Sequence, residues 1–237
     1  MASGEQITLD FTKLEAPPAL NDEVEKSLSA VSKTVNVSVS GKELKIYVEE
    51  VVKKDSTPRF GILFLHGMRF SSKNWLDIKS VCHVANWGYR AVAVDLPGYG
   101  KSVNTMAPEL NSELLQSLMR VLDLQRPVIV SPSMSGSFSL PYLFEKPGSC
   151  QDRSRGYVPV APVLTEKFVA NYKQVELPTL VVVGTNDKML GAESTKNLMQ
   201  LPRAQYAPIE GAGHACYLDN PDAFHRLLFF FLQQLKD

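Results

Sequence analysis

From residue 60 onward the chain alternates short, wholly apolar runs with longer stretches of helical period. The runs are Ile62–Leu65, Ala91–Val94, Val128–Val130, Tyr157–Val160, Leu180–Val183 and Tyr206–Ile209. Continuous apolar strands are expected where both faces of a sheet are covered. Helical patterns fall near residues 73–87, 109–123, 135–145, 192–200 and 221–235. Strand and helix in turn predict an α/β fold, with a mostly parallel central sheet and helices on both faces. Ahead of this block, Val35–Val39 alternates with period two, Gly41 turns, and Leu44–Val52 is again strand-like, which predicts an antiparallel hairpin. Residues 1–34 look different: they hold Pro17-Pro18 and a polar, acidic stretch from Asn21 to Lys26, and read as a partly ordered arm. The expected organisation is that arm followed by a single domain over residues 35–237, a length that suits one core.

Charge narrows the function classes. Lys plus Arg and Asp plus Glu each number 25, so the formal net charge is zero. The chain lacks the bulk positive field of non-specific nucleic-acid binding, and no nucleic-acid partner is expected. Three cysteines (Cys82, Cys150 and Cys216) form no CxxC and leave one over, as in a reduced protein of the cytoplasm or nucleus. The polar start, Met1 to Asp10, has no apolar core for a signal peptide. No stretch reaches the roughly 18 apolar residues of a membrane span. The apolar run Leu227–Leu232 reads as the buried part of the final helix. There is no metal-ligand cluster, Gly-rich phosphate loop or nicotinamide fingerprint, so no bound cofactor or metal is expected.

In open α/β sheets chemistry sits at the carboxyl ends of the strands. Those ends carry, in chain order, His66-Gly67-Met68-Arg69-Phe70, Asp95-Leu96-Pro97-Gly98-Tyr99-Gly100, Ser131-Pro132-Ser133-Met134-Ser135-Gly136, Gly184-Thr185-Asn186-Asp187 and Gly211-Ala212-Gly213-His214. Serine, then acid, then histidine is the triad order of α/β-hydrolases. A serine hydroxyl is a weak nucleophile and needs an adjacent base. Histidine titrates near neutrality, so it can take that proton and return it. A carboxylate fixes the imidazole tautomer, and backbone N–H groups meet the developing oxyanion at about 3 kcal/mol per donor.

Serines occupy positions 131, 133, 135, 137 and 139. A sharp strand-to-helix turn needs small residues two before and two after the nucleophile. Ser131 fails because Ile129 precedes it by two. Ser133 has Ser131 and Ser135 at those places, then Gly136; Ser135 is followed by bulky Phe138 and ranks second. Pro132 holds Ser131 extended. The oxyanion donor of this turn is then Met134. His214 lies ahead of a helix that Asn220 caps and Pro221 opens, whereas His83 and His225 fall within helices and His66 belongs to the donor loop. Asp187 is the candidate acid. The alternative place after the preceding strand reads Val160-Ala161-Pro162-Val163, with no carboxylate until Glu166. Asp95 reads as a turn-former.

These motifs resemble the α/β-hydrolase superfamily over residues 35–237. The strings LFLHGMRFSSKNW, GYRAVAVDLPGYGKS, SPSMSGSFSLPYL, YVPVAPV and GAGHACYLD are similar to the α/β-hydrolase domain-containing 14 family, in its soluble form. That family shares the Ser-Pro-Ser-x-Ser-Gly elbow, which departs from the usual Gly-x-Ser-x-Gly. The resemblance implies an α/β-hydrolase fold and a Ser133–Asp187–His214 triad, with Met68 and Met134 as oxyanion donors. It also implies esterase activity on small esters, removal of acetyl groups from protein lysine with coenzyme A as acceptor, and no membrane anchor.

Spacing adds a substrate expectation. Residues 163–177 leave room for a turn and one short helix, so no cap domain is expected and the site should be shallow and accessible. That favours small acyl groups, or acyl groups on a large partner such as an acetylated protein, over long lipid chains. Arg69, beside the donor loop, is a candidate for a substrate carboxylate or a coenzyme A phosphate, with a structural ion pair as the alternative. Tyr99, Met68 and Phe70 are candidate pocket residues. Cys216, two past His214, reads as a buried inert thiol or an oxidant-sensitive one. A monomer is expected. The competing functional reading is a hydrolase fold used as a protein-interaction module with a vestigial triad.

Overall fold

The computed structural model describes residues 7–236. Among the described residues nine strands form one sheet: β1 (Ile7–Thr8), β2 (Leu28–Val39), β3 (Lys42–Lys53), β4 (Gly61–Phe64), β5 (Arg90–Val94), β6 (Val128–Pro132), β7 (Gly156–Val160), β8 (Thr179–Gly184) and β9 (Ala204–Ile209). Their order is β1-β9-β8-β7-β6-β4-β5-β3-β2. Pairing is parallel from β1 through β5, while β3 runs antiparallel to β5 and β2 antiparallel to β3. The helices are α1 (Asp22–Lys26), α2 (Lys73–Asp77), α3 (Ser80–Asn86), α4 (Asn111–Val121), α5 (Gly136–Phe144), α6 (Cys150–Arg153), α7 (Val169–Tyr172), α8 (Leu190–Leu198), α9 (Cys216–Asp219) and α10 (Pro221–Gln233).

The apolar runs sort their side chains to two cores, because successive strand residues point to opposite faces. Ile62, Phe64, Val128 and Val130 pack on one side with Val81, Val84, Phe224, Leu228 and Phe231 of α3 and α10. Leu63, Ile129 and Tyr157 pack on the other with Leu114, Leu118, Leu140 and Leu143 of α4 and α5. Apolar pairs at 223/224, 227/228 and 231/232 give α10 its buried stripe. The side chain of Asn220 accepts from Ala223 N–H at 3.1 Å, and Pro221 opens the helix, as the sequence predicts.

Two expectations need correction. The helix expected over 73–87 is broken: Lys79 takes a left-handed φ of 58° between α2 and α3. The break lets each half bury its own anchor. Trp75 donates Nε1–H to Leu65 O at 2.7 Å and stacks on Tyr217, while Val81 and Val84 of α3 join the core. The arm expected over 1–34 enters the fold from Ile7 onward; Met1–Gln6 lie outside the described residues. Ile7 and Thr8 pair with Gln205 and Tyr206, Asn21 caps α1, and β2 starts at Leu28 rather than Val35. Residues 29–34 form an edge strand largely open to solvent, so they lack the alternation that marks a half-buried strand.

Chain order reverses at β4, which lies between β5 and β6. The crevice beyond the carboxyl ends at such a point is where open α/β sheets bind ligands. Between β7 and β8 the chain makes only a short 3-10 turn, Thr165–Phe168, and α7, so among the described residues no cap is inserted there over that crevice.

Candidate active site

Ser133 stands immediately after β6, at the head of a short turn leading into α5. Its φ is +49°, a left-handed conformation that costs a residue with a side chain roughly 1–3 kcal/mol. The turn is held from outside by Val163 N–H donating to Ser133 O at 3.1 Å. It is held from the helix side by close packing at Gly136, where a Cβ would lie 2.7 Å from Val163 O. A side chain there would meet the Val163 backbone, so the position calls for glycine.

The histidine and the acid come from the next strand ends. The backbone of residues 212–213 crosses directly over Gly184: a Cβ there would lie 2.1 Å from Gly213 O. Asn186 N–H donates to Ala212 O at 2.9 Å and its side-chain amide to Gly211 O at 2.8 Å. Asp219 accepts from Gly213 N–H at 2.7 Å. Asn186 and Asp219 therefore clamp the histidine loop, a role that no motif spacing signalled. The result is a continuous chain: His214 Nδ1 lies 2.5 Å from Asp187 Oδ2, and His214 Nε2 lies 2.9 Å from Ser133 Oγ. The Asp187 side chain is 8% exposed and that of His214 44%, so the carboxylate is sheltered while the ring faces the crevice. A carboxylate accepts only, which assigns the proton to Nδ1 and leaves Nε2 to accept from the Ser133 hydroxyl.

Ser135, the second candidate, is fully buried and donates to Pro132 O, away from His214. His66 is buried too. Leu96 N–H donates to its Nε2 at 2.9 Å, so Nδ1–H donates to Gly67 O at 2.8 Å and fixes the donor loop. Burial holds its pKa below the ordinary histidine value, keeping the ring neutral. Asp95 is a structural clamp, accepting from Ser72 N–H and Lys101 N–H at 2.7 Å each. His83 and His225 lie on α3 and α10, away from the crevice.

A cavity of 310 Å³ opens beside Ser133 and His214, lined also by Met68, Arg69, Phe70 and Tyr217. Tyr217 is a lining residue that the sequence reading did not single out; its ring meets Phe70 edge-on at 6.4 Å. Tyr99 lines a separate cavity of 390 Å³, together with Met134, and not the cavity beside Ser133 and His214. Met68, which lines the first cavity, is 61% exposed. Arg69 is exposed and makes no ion pair or hydrogen bond among the described residues, so the structural ion pair weighed for it is not formed. Cys216 is buried, and burial pushes its thiol up to about 12, which makes it the inert alternative.

Among the described residues no helix is long and apolar enough to cross a membrane. No family model matches the chain. Curated relatives do. "Putative protein-lysine deacylase ABHD14B" of Homo sapiens is 43% identical over 206 residues, covering 84% of this chain and 95% of that protein. Its Rattus norvegicus counterpart is 41% identical over 212 residues, covering 84% and 99%. "Protein ABHD14A" of Danio rerio is 37% identical over 216 residues, covering 87% and 78%. Among solved structures, a "predicted CIB-like hydrolase" from Thermoplasma acidophilum matches with a TM-score of 0.76 at 24% identity, covering 87% of this chain and all of that one. Identity above 40% along nearly the whole length of the two ABHD14B relatives, on a sheet with the same architecture as a solved hydrolase, establishes that the chain belongs to the ABHD14 family of α/β-hydrolases.

Proposed function

We propose that this chain is a serine hydrolase that removes small acyl groups, acetyl first among them, from protein lysine. The observation that carries this reading is the unbroken hydrogen-bonded chain from Asp187 through His214 to Ser133 at the edge of an uncapped cavity. The names of the ABHD14B relatives support lysine as the acyl carrier.

In this mechanism Ser133 Oγ attacks the acyl carbonyl carbon while its proton passes to His214 Nε2. The carbonyl electron pair moves to oxygen, and that oxyanion sits on the N–H groups of Met68 and Met134, about 3 kcal/mol each. Collapse breaks the C–N bond, and the imidazolium returns its proton to the departing lysine amine. The acyl-enzyme is then attacked by an acceptor, whose proton goes to Nε2 and later back to Ser133 Oγ. Water gives the free acid. The thiol of coenzyme A gives the acyl thioester. Arg69, a guanidinium without an acidic partner at the cavity, suits an acceptor phosphate or a substrate carboxylate. A small acyl group fits the 310 Å³ space, and the open mouth admits a lysine carried on a folded protein.

The deciding experiment follows p-nitrophenyl acetate turnover by wild type and Ser133→Ala, each with and without coenzyme A. A loss of about 10⁴-fold or more in the mutant is expected, with faster wild-type turnover when coenzyme A is added. No acceleration counts against transfer. Equal background rates in both proteins would overturn catalysis and leave the interaction-module reading.

A further inference from the structure

The Ser133 elbow is flanked by serines where the usual motif has glycines, and the proposed chemistry leaves them without a part to play. They are not idle. Ser135 Oγ donates to Pro132 O at 2.7 Å and lies 3.0 Å from Ser131 Oγ. Ser131 Oγ lies 2.7 Å from Ser139 Oγ, which lies 2.9 Å from the Tyr157 hydroxyl. All four residues are 0% exposed, so water cannot replace any of these bonds.

Counting hydrogens fixes the direction. A hydroxyl carries one hydrogen. A carbonyl only accepts, so Ser135 spends its hydrogen on Pro132 O and must accept from Ser131. Ser131 must then accept from Ser139, and Ser139 from Tyr157. The chain runs one way, from Tyr157 through Ser139, Ser131 and Ser135 to the carbonyl of the residue before the nucleophile. Hydrogen bonds aligned in series in a dry interior strengthen one another. Burial also holds the Tyr157 hydroxyl well above the ordinary tyrosine pKa, so it remains a donor at every working pH.

We infer that this hydroxyl chain is a positioning device for the nucleophile, with Tyr157, Ser139, Ser131 and Ser135 acting on Ser133 through the Pro132 carbonyl. The inference rests on the reading of Ser133 as nucleophile. The Pro132–Ser133 peptide plane lies directly ahead of the bond whose rotation is held at +49°. Locking the carbonyl of that plane resists relaxation of the turn and keeps Ser133 Oγ at 2.9 Å from His214 Nε2. Glycine at 131 and 135 would ease the turn but could not supply this lock. Tyr157 is the second residue of β7, paired in register with Ile129 of β6, so the rigid sheet is the anchor.

The test is a double-mutant cycle on p-nitrophenyl acetate turnover, with fluorophosphonate labelling rate and thermal midpoint measured on each protein. Ser135→Ala keeps the small size that the turn needs and removes only the hydroxyl. It is expected to lower kcat about 10-fold with KM within about twofold, since small misplacements of a reacting atom cost rate rather than binding. Tyr157→Phe deletes one oxygen from a buried ring and probes the chain from its far end, should Ser135→Ala fail to fold. It is expected to lower kcat about threefold. Once the chain is cut at Ser135, removing Tyr157 should cost little more, so the double mutant is expected to match Ser135→Ala. Additive losses, or a lowered thermal midpoint with unchanged kcat, would overturn the inference and leave the serines as structural. Ser133→Ala is run alongside. Wild-type turnover in Ser135→Ala beside an inactive Ser133→Ala rejects the positioning role alone, whereas turnover surviving in Ser133→Ala rejects the nucleophile and its positioning together.

Discussion

At the scale of single residues, His214 is useful because its two nitrogens face opposite kinds of partner. Asp187 can only accept, so it selects the Nδ1–H tautomer and turns Nε2 toward Ser133. An amide at 187 would offer a donor as easily as an acceptor and lose that selection. Asp187→Asn should therefore fold normally yet lower kcat by about 10⁴-fold. Steady-state kinetics with a thermal-melt control checks this. A variant of near wild-type rate would mean that the ring is oriented by the loop clamps at Asn186 and Asp219 instead. The residues of this site were legible in the sequence because each sits at a strand end in a short, distinctive string. The preference for Ser133 over Ser135 follows from side-chain size around the turn, with Pro132 holding Ser131 extended. The direction of the Ser135 hydroxyl did not, because it depends on what lies beneath the turn.

At the scale of elements, the long apolar runs and capped helices were the most readable parts. The last helix is the clearest case: Asn220, Pro221 and three apolar pairs announce its start and its buried face. Asn220→Ala should cost about 1 kcal/mol of stability through loss of the cap to Ala223 N–H. Urea unfolding reads this directly, and an unchanged midpoint would show the cap to be dispensable in this context. Where elements were misread, the reason is physical. The 73–87 segment has helical period throughout, but Trp75 needs a different orientation from the α3 face in order to reach Leu65 O, and the backbone bends at Lys79 to allow it. The first half of β2 carries little apolar signal because it is an edge whose partner, β3, supplies the hydrogen bonds.

At the scale of the whole molecule, two cores close over the sheet and take polar groups inside with them. Burial, with the His83 ring close by, pushes His225 down to about 3, and burial lowers His83 and His66 as well. These rings are neutral in the fold and gain protons freely only when unfolded. Above the unfolded value of about 6.5 neither state binds the proton, so the stability is intact. As pH falls below that value the unfolded chain takes up protons that the fold refuses, and stability drops until the folded pKa is reached. His225 alone should cost about 2 kcal/mol between about pH 7 and pH 5. Urea unfolding at the two pH values tests this, with His225→Gln expected to flatten the difference; equal slopes in both proteins would place the proton uptake elsewhere.

Strand and helix alternation, the order of serine, acid and histidine, and the lack of a segment long enough for a cap between β7 and β8 can all be read from the sequence. These are local properties: periodicity, residue chemistry and spacing survive without knowledge of neighbours. Which groups meet is settled by the packing of the folded chain. Bringing residues 133, 187 and 214 into one hydrogen-bonded line depends on the reversal of chain order at β4 and on the backbone crossing at Gly184. The same holds for Tyr157, which lies 18 residues from Ser139 along the chain but shares a hydrogen bond with it, because β6 and β7 are neighbours in the sheet. Contacts of that kind are set by packing geometry, and no window of sequence contains them.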